Sequence, residues 1–188
     1  RADEIIITYD GFYDQAVRLA QHRESSYGLA TRVVRVSDVY NQFAYGIFDP
    51  TAIRDFLKYA YENWPEPAPT FAFLIGDGNY DFRNNLGNNV RNYIPPFENT
   101  DWMTDEHFIY FGAEADIDAD SNSIPDMVIG RLNARSTQEV EEFITKTIDY
   151  DSNPDFGPWR HRLVVVADDN LHPGRTNEYF HTNQAENL

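Results

Sequence analysis

The sequence predicts an α/β fold: a mainly parallel sheet with helices on its faces. Short runs rich in β-branched and aromatic residues alternate with segments of helical apolar spacing. The order of the two is β-α-β-α-β, which implies crossover helices on a parallel sheet. Turn residues close the runs: Asp10-Gly11 after the first, Gly76-Asp77-Gly78 after the third.

Each element follows from local chemistry. Glu4–Tyr9 (EIIITY) is a buried strand by length and composition. Phe12–Ser26 carries Ala16, Leu19 and Ala20 on one face and reads as a helix. Ala30–Val36 (ATRVVRV) is the second strand. Asp49 before Pro50 is a good helix start, and Ile53, Phe56, Leu57 and Ala60 repeat at helical spacing until Trp64-Pro65. Thr70–Ile75 is the third strand. Residues 84–104, rich in Asn and holding Pro95-Pro96, form a long loop. Glu106–Phe111 and Asp126–Leu132 read as strands. Ser136 and Glu139 form a capping box for a helix over Gln138–Tyr150. Asp151–Pro158 (DSNPDFGP) has linker chemistry, His161–Ala167 (HRLVVVA) starts a new strand, and a helix begins near Thr176.

Composition sets further bounds. The 188 residues are 41% hydrophobic and 15% aromatic, a globular mixture with ample apolar area for a core. Lys+Arg is 15 against Asp+Glu 31, a formal charge of −16. A phosphate backbone needs a basic face, so nucleic acid is not an expected partner, and an anionic membrane surface is disfavoured. No run is long enough for membrane insertion. Without cysteine there is no disulfide, zinc–thiolate site or thiol nucleophile in these residues. The first strand begins close to Arg1 and Leu188 falls within a helix-like pattern, so a piece of a longer protein is expected.

Three stretches invite functional readings. Gly76-Asp77-Gly78 closes an apolar strand, and ligands of parallel sheets bind beyond such carboxyl ends. The dinucleotide fingerprint would have Gly at Asp81, and the Walker Gly-Lys-Ser/Thr is missing. The favoured reading is a tight turn exposing Asp77, Asn79 and Asp81 at the sheet edge, beside that of a plain turn with solvated acids. In "DIDADSNSIPD", the oxygens of Asp116, Asp118, Asp120, Asn122 and Asp126 are candidate ligands for calcium. An EF-hand would carry Gly at Ser121 and Glu at Met127, so the loop is a non-standard calcium site or an acidic surface hairpin. The histidines, His22, His107, His161, His172 and His181, lack zinc-peptidase spacing; His22 and His161 read as structural. No Gly-x-Ser-x-Gly elbow occurs.

The blocks "IITYDGFYDQAVRLAQHR", "DFLKYAYENWPEPAPTFAFLIGDGNYDFRNN", "IPDMVIGRLNARSTQEVEEFITKTIDY" and "WRHRLVVVADD", in that order, resemble the gingipain family of cysteine peptidases, and within it the PorU-type members, sortases of the type IX secretion system. The resemblance implies a caspase-like, three-layer α/β/α fold. It places a first subdomain over residues 1–153 and the start of the second, catalytic subdomain over 154–188. The family uses a His in a Gly-His-Gly turn and a nucleophilic Cys. Neither occurs here, so no catalytic residue is assigned and these residues alone are expected to be inactive. The resemblance further implies structural calcium, secreted cargo proteins as substrates, the rest of the peptidase domain and other secretion-system components as partners, and a secreted or cell-surface location. The alternative is a non-catalytic, calcium-stabilised scaffold or interaction module. A phosphoryl-transfer domain using Asp10 and Asp77 ranks last, for want of a supporting Lys or Ser motif.

Overall fold

The computed structural model describes residues 1–87, 89–98, 103–112, 124–167 and 179–187. They belong to two compact units, Arg1–Asp151 and Ser152–Leu188.

The first unit is built on a four-stranded parallel sheet. Its strands are β1 (Glu4–Thr8), β2 (Thr31–Arg35), β3 (Phe71–Ile75) and, last in the chain, β6 (Val128–Leu132), in the order β2-β1-β3-β6. Two short strands, β4 (Phe97–Glu98) and β5 (Met103–Thr104), make a separate antiparallel pair. Strand β1 has neighbours on both sides and helices over both faces. Its three isoleucines, Ile5, Ile6 and Ile7, are therefore fully buried. Each such side chain contributes about 1.5–3 kcal/mol of transfer free energy.

The period of two along a strand sorts the side chains into two cores. Ile5, Ile7, Ala72 and Leu74 face α2 (Val36–Phe43) and α3 (Thr51–Asn63). Ile6 and Ile75 face α1 (Tyr13–Tyr27) and α4 (Thr137–Ser152). Helices thus cover both faces, giving the α/β/α layering. Gly130 lies opposite Phe73 in the register, and a Cβ there would sit 3.5 Å from the Phe73 ring. The missing side chain leaves room for that ring, which stacks with Phe143 of α4.

The helix ends follow capping rules. Helix α1 stops at Gly28, whose φ of +69° suits glycine and whose N–H donates to Glu24 O at 3.0 Å. At the start of α3 the Asp49 carboxylate accepts from Thr51 N at 2.9 Å. At α4, Ser136 Oγ accepts from Glu139 N at 3.2 Å, while Glu139 Oε2 accepts from Arg135 N at 2.6 Å. The capping box is present with its return bond moved back by one residue.

Several elements differ from expectation. Glu106–Phe111 is not a strand: Glu106–Ile109 forms a 3-10 turn. Thr104 Oγ1 accepts from Glu106 N and Asp105 O from Phe108 N, a helix-start arrangement that overrides the β propensity of His-Phe-Ile-Tyr-Phe. Helix α2 occupies Val36–Phe43, where the sequence reading placed only the end of the second strand, at Val36. The loop at 84–104 contains the β4–β5 pair. In the second unit, Pro158–His161 is a 3-10 turn and residues 162–167 have no regular structure, where a strand was expected. A strand needs a partner for its backbone groups, and among the described residues this run has none. The last helix, α5, spans Tyr179–Glu186.

Candidate functional site

The carboxyl ends of β1, β3 and β6 form the edge where a parallel sheet binds ligands. Strand β3 runs into Gly76-Asp77-Gly78, and both glycines are required. Gly76 has φ +150°, and a Cβ there would lie 2.9 Å from Tyr93 Cβ. At Gly78 a Cβ would come within 2.3 Å of Ile94 O. The turn therefore accepts the chain at 92–96 in direct backbone contact.

Asp77 ties three segments together. Its N–H donates to Ala134 O at 2.9 Å, and its carbonyl accepts from Tyr93 N at 2.9 Å and Ile94 N at 3.2 Å. Its carboxylate Oδ2 accepts from Arg135 Nε at 2.6 Å. That bond raises the Arg135 pKa above its ordinary value. Neighbouring bonds continue the pattern. Asn79 N donates to Asn92 Oδ1 at 2.7 Å, and Asp81 accepts from Asn85 N and Leu86 N at 2.6 and 2.8 Å. The expected exposure of these polar groups is thus corrected: Asp77, Asn79 and Asp81 are half-buried and hold the loop.

Arg131 is the second organiser. Its Nη1 donates to Gly76 O at 2.7 Å and Ile94 O at 2.8 Å. Its Nε and Nη2 form a bidentate pair with Asp105 at 2.7 and 2.6 Å. The sequence reading passed over this residue. The available signal was a charged residue at an alternating position, between Ile129 and Asn133, of an otherwise apolar strand.

These residues line a cavity of about 260 Å³ with Asp77, Gly78, Pro96, Asp105, Arg131 and Asn133 on its wall. Both carboxylates are matched by guanidinium groups. Asp10, at the end of β1, accepts from Ser37 Oγ at 2.6 Å. The rings of Tyr9, Phe12 and Tyr93 pack beside it with centroids 5.1–5.5 Å apart. Every such group is engaged in holding the edge, and no nucleophile–base pair is found there among the described residues. The arrangement gives no support to phosphoryl transfer through Asp10 and Asp77. Chemically it is a rigid platform.

The histidines lie elsewhere. His22 Nε2 donates to Asp151 Oδ2 at 2.8 Å, joining α1 to the end of α4. Hydrogen bonds from His22 and Tyr27 hold the Asp151 carboxyl below the usual range. His107 is buried, its ring stacked on Phe97 at 3.4 Å and its Nδ1 without a hydrogen-bond partner among the described residues. Burial, with Arg54 nearby, lowers its pKa to about 4. His161 ends the 3-10 turn of the second unit. His172 and the side chain of His181 lie outside the described residues.

Of the candidate calcium ligands, Asp116, Asp118, Asp120 and Asn122 lie outside the described residues. Asp126 is described: its N–H donates to Ile109 O at 3.0 Å and its Oδ2 accepts from Phe111 N at 2.8 Å. One carboxylate oxygen of Asp126 is thus committed to the backbone. Among the described residues, no group of three His, Cys, Asp or Glu side chains is placed to hold a metal.

Comparison with known proteins bears on this fold. The model of Peptidase family C25 matches residues 1–188. The crystal structure of dimeric latent PorU from Porphyromonas gingivalis is 28% identical with a TM-score of 0.68, over 89% of this chain and 17% of that one. The complex of the pro- and mature domains of RgpB from Porphyromonas gingivalis is 19% identical with a TM-score of 0.57, over 78% of this chain and 28% of that one. The Arg-specific cysteine proteinase gingipain R gives 19% identity and a TM-score of 0.57, over 79% and 28%. The chain therefore spans less than a third of each of these structures. No curated protein matches it. Its layers and parallel sheet are those of the caspase-like fold of gingipains and PorU. By a match running over its whole length, the chain belongs to Peptidase family C25.

Proposed function

We propose that these residues are a portion of a gingipain-like cysteine peptidase of the PorU type, a sortase that cleaves C-terminal sorting signals from cargo of the type IX secretion system at the bacterial surface. The observation that carries the reading is the family match over residues 1–188 together with the likeness to PorU over 89% of the chain. In this reading the nucleophilic Cys and its His partner lie outside the present residues, which contain no cysteine. The role of this portion is positional. The Asp77 and Arg131 networks hold the loop at 92–96 against the carboxyl edge of the sheet, and a fixed edge is what a peptidase needs to orient an extended substrate. The thiolate would attack the scissile carbonyl, with the His carrying the proton.

We also propose a structural calcium ion on the loop ending at Asp126, with Asp116, Asp118, Asp120 and Asn122 as the other ligands. The bond from Phe111 N to Asp126 Oδ2 holds this carboxylate in place and supports it as one of these ligands. Isothermal titration with calcium tests this: heat at up to millimolar calcium that is lost in Asp126→Asn supports the site, and its absence removes it.

For the peptidase reading, the full-length protein is incubated with a cargo protein before and after thiol alkylation, and the adduct is mapped by mass spectrometry. Cleavage that stops when one cysteine outside these residues is alkylated supports the proposal. Absence of cleavage and of a reactive thiol would make the protein a non-catalytic scaffold.

A further inference from the structure

We propose that the groove between the start of α3 and the loop after β3 is a docking site for a basic side chain, arginine or lysine, of a protein partner. The groove encloses about 470 Å³, within the range of sites that hold small groups. Its walls combine the rings of Tyr80, Phe82 and Phe97 with the carboxylates of Asp49, Asp81 and Glu98. Among the described residues Arg83 is the one cation on the wall, against three carboxylates.

This pairing of chemistries selects the guest. Aromatic faces attract a cation through their quadrupole, and more strongly where water is partly excluded. The wall already shows the mode: the guanidinium of Arg83 lies 5.3 Å from the centre of the Phe82 ring. Tyr80 is 51% exposed. Glu98 pairs through its backbone with Met103, and its carboxylate makes no hydrogen bond or ion pair with a described residue. The Asp49 carboxylate takes both of its bonds, from Thr51 N and Oγ1, on Oδ1, and Oδ2 has no described partner. An anionic or apolar guest would leave these carboxylates uncompensated.

The wall is also held in place by bonds that do not involve the guest. Asp81 is fixed by Asn85 N and Leu86 N. Phe97 is fixed by its stack on His107 and by strand pairing with Thr104. A site organised before binding loses less entropy when it is filled. The overall charge of −16 would draw a basic segment toward the domain.

The inference is independent of the peptidase reading, and the test keeps the two apart. Thiol-alkylated full-length protein, unable to cleave through a cysteine, is titrated with end-blocked fluorescent tripeptides. These carry arginine, lysine or the neutral isostere citrulline between glycines, and anisotropy is read at low and high salt. The arginine and lysine peptides should bind at least about tenfold more tightly than the citrulline peptide, and salt should weaken them. Glu98→Gln combined with Tyr80→Ala should weaken arginine binding about tenfold with the melting temperature unchanged. Equal binding of citrulline, no binding of arginine, or unaltered binding by the double variant would each overturn the proposal.

Discussion

Two stretches of similar composition meet opposite fates. Glu-Ile-Ile-Ile-Thr at residues 4–8 is the central strand of the first unit, and its isoleucines are fully buried. Leu-Val-Val-Val at residues 163–166 belongs to the second unit and is 44–88% exposed, without regular structure. Both are apolar, β-branched runs that propensity alone would make strands. The first has β2 and β3 to satisfy its backbone and two layers of helices to bury its faces. The second has no strand beside it among the described residues. Strand formation is thus decided by tertiary partners, and among the described residues the buried core lies within residues 1–151.

That contrast can be broken most strongly at Arg131. Its guanidinium makes four hydrogen bonds at the sheet edge, and Arg131→Met would strand Asp105 half-buried. A loss of about 3–5 kcal/mol is expected in urea unfolding. Next comes acid. The neutral ring of His107 is held with its pKa lowered from 6.5 to about 4. The unfolded chain therefore takes up the proton first as pH falls. This contribution to stability is fully present above about pH 6.5 and is lost as pH drops to about 4, by roughly 3 kcal/mol. Urea midpoints across that range measure it, and His107→Phe should remove this part of the slope. A smaller effect is expected from Asp77→Ala, which deletes the bond to a largely exposed Arg135. The urea midpoint should fall slightly, with cargo cleavage by the full-length protein little changed once folded. The smallest change is predicted in the second stretch: Val164→Ala, at a residue 70% exposed, should alter unfolding by less than about 0.5 kcal/mol. A large loss there would show that the run is buried in solution and would end the comparison.

The sequence revealed those features that local chemistry decides. The strands at Ile5, Val33, Leu74 and Ile129 were legible from β-branched runs, and the capping groups at Asp49 and Ser136 were legible from side-chain type. Helix α2 left a signal that was passed over. Val36, Val39, Tyr40 and Phe43 repeat at helical spacing, and the first three are buried, but Val36 was read as the end of β2. The turn at Glu106–Ile109 was misread because apolar content says that a segment is buried, not which backbone it adopts. The candidate site was half visible. Gly76-Asp77-Gly78 stood out by its position at a strand end, yet its partners, Ala134, Arg135 and the chain at 92–94, are distant in sequence. Asp77 therefore looked like an exposed acid when it is a structural tie. Arg131 was hidden for the same reason, since its acceptors come from three other segments.

Residues 1–188 belong to Peptidase family C25 and contain no cysteine, and the proposed reading places the nucleophile outside them. The most direct test incubates the purified 188-residue chain with a cargo protein beside the full-length protein. Cleavage by the full-length protein and none by the chain alone is expected. Cleavage by the chain alone, unaffected by thiol alkylation, would contradict it and place a different catalytic apparatus within these residues.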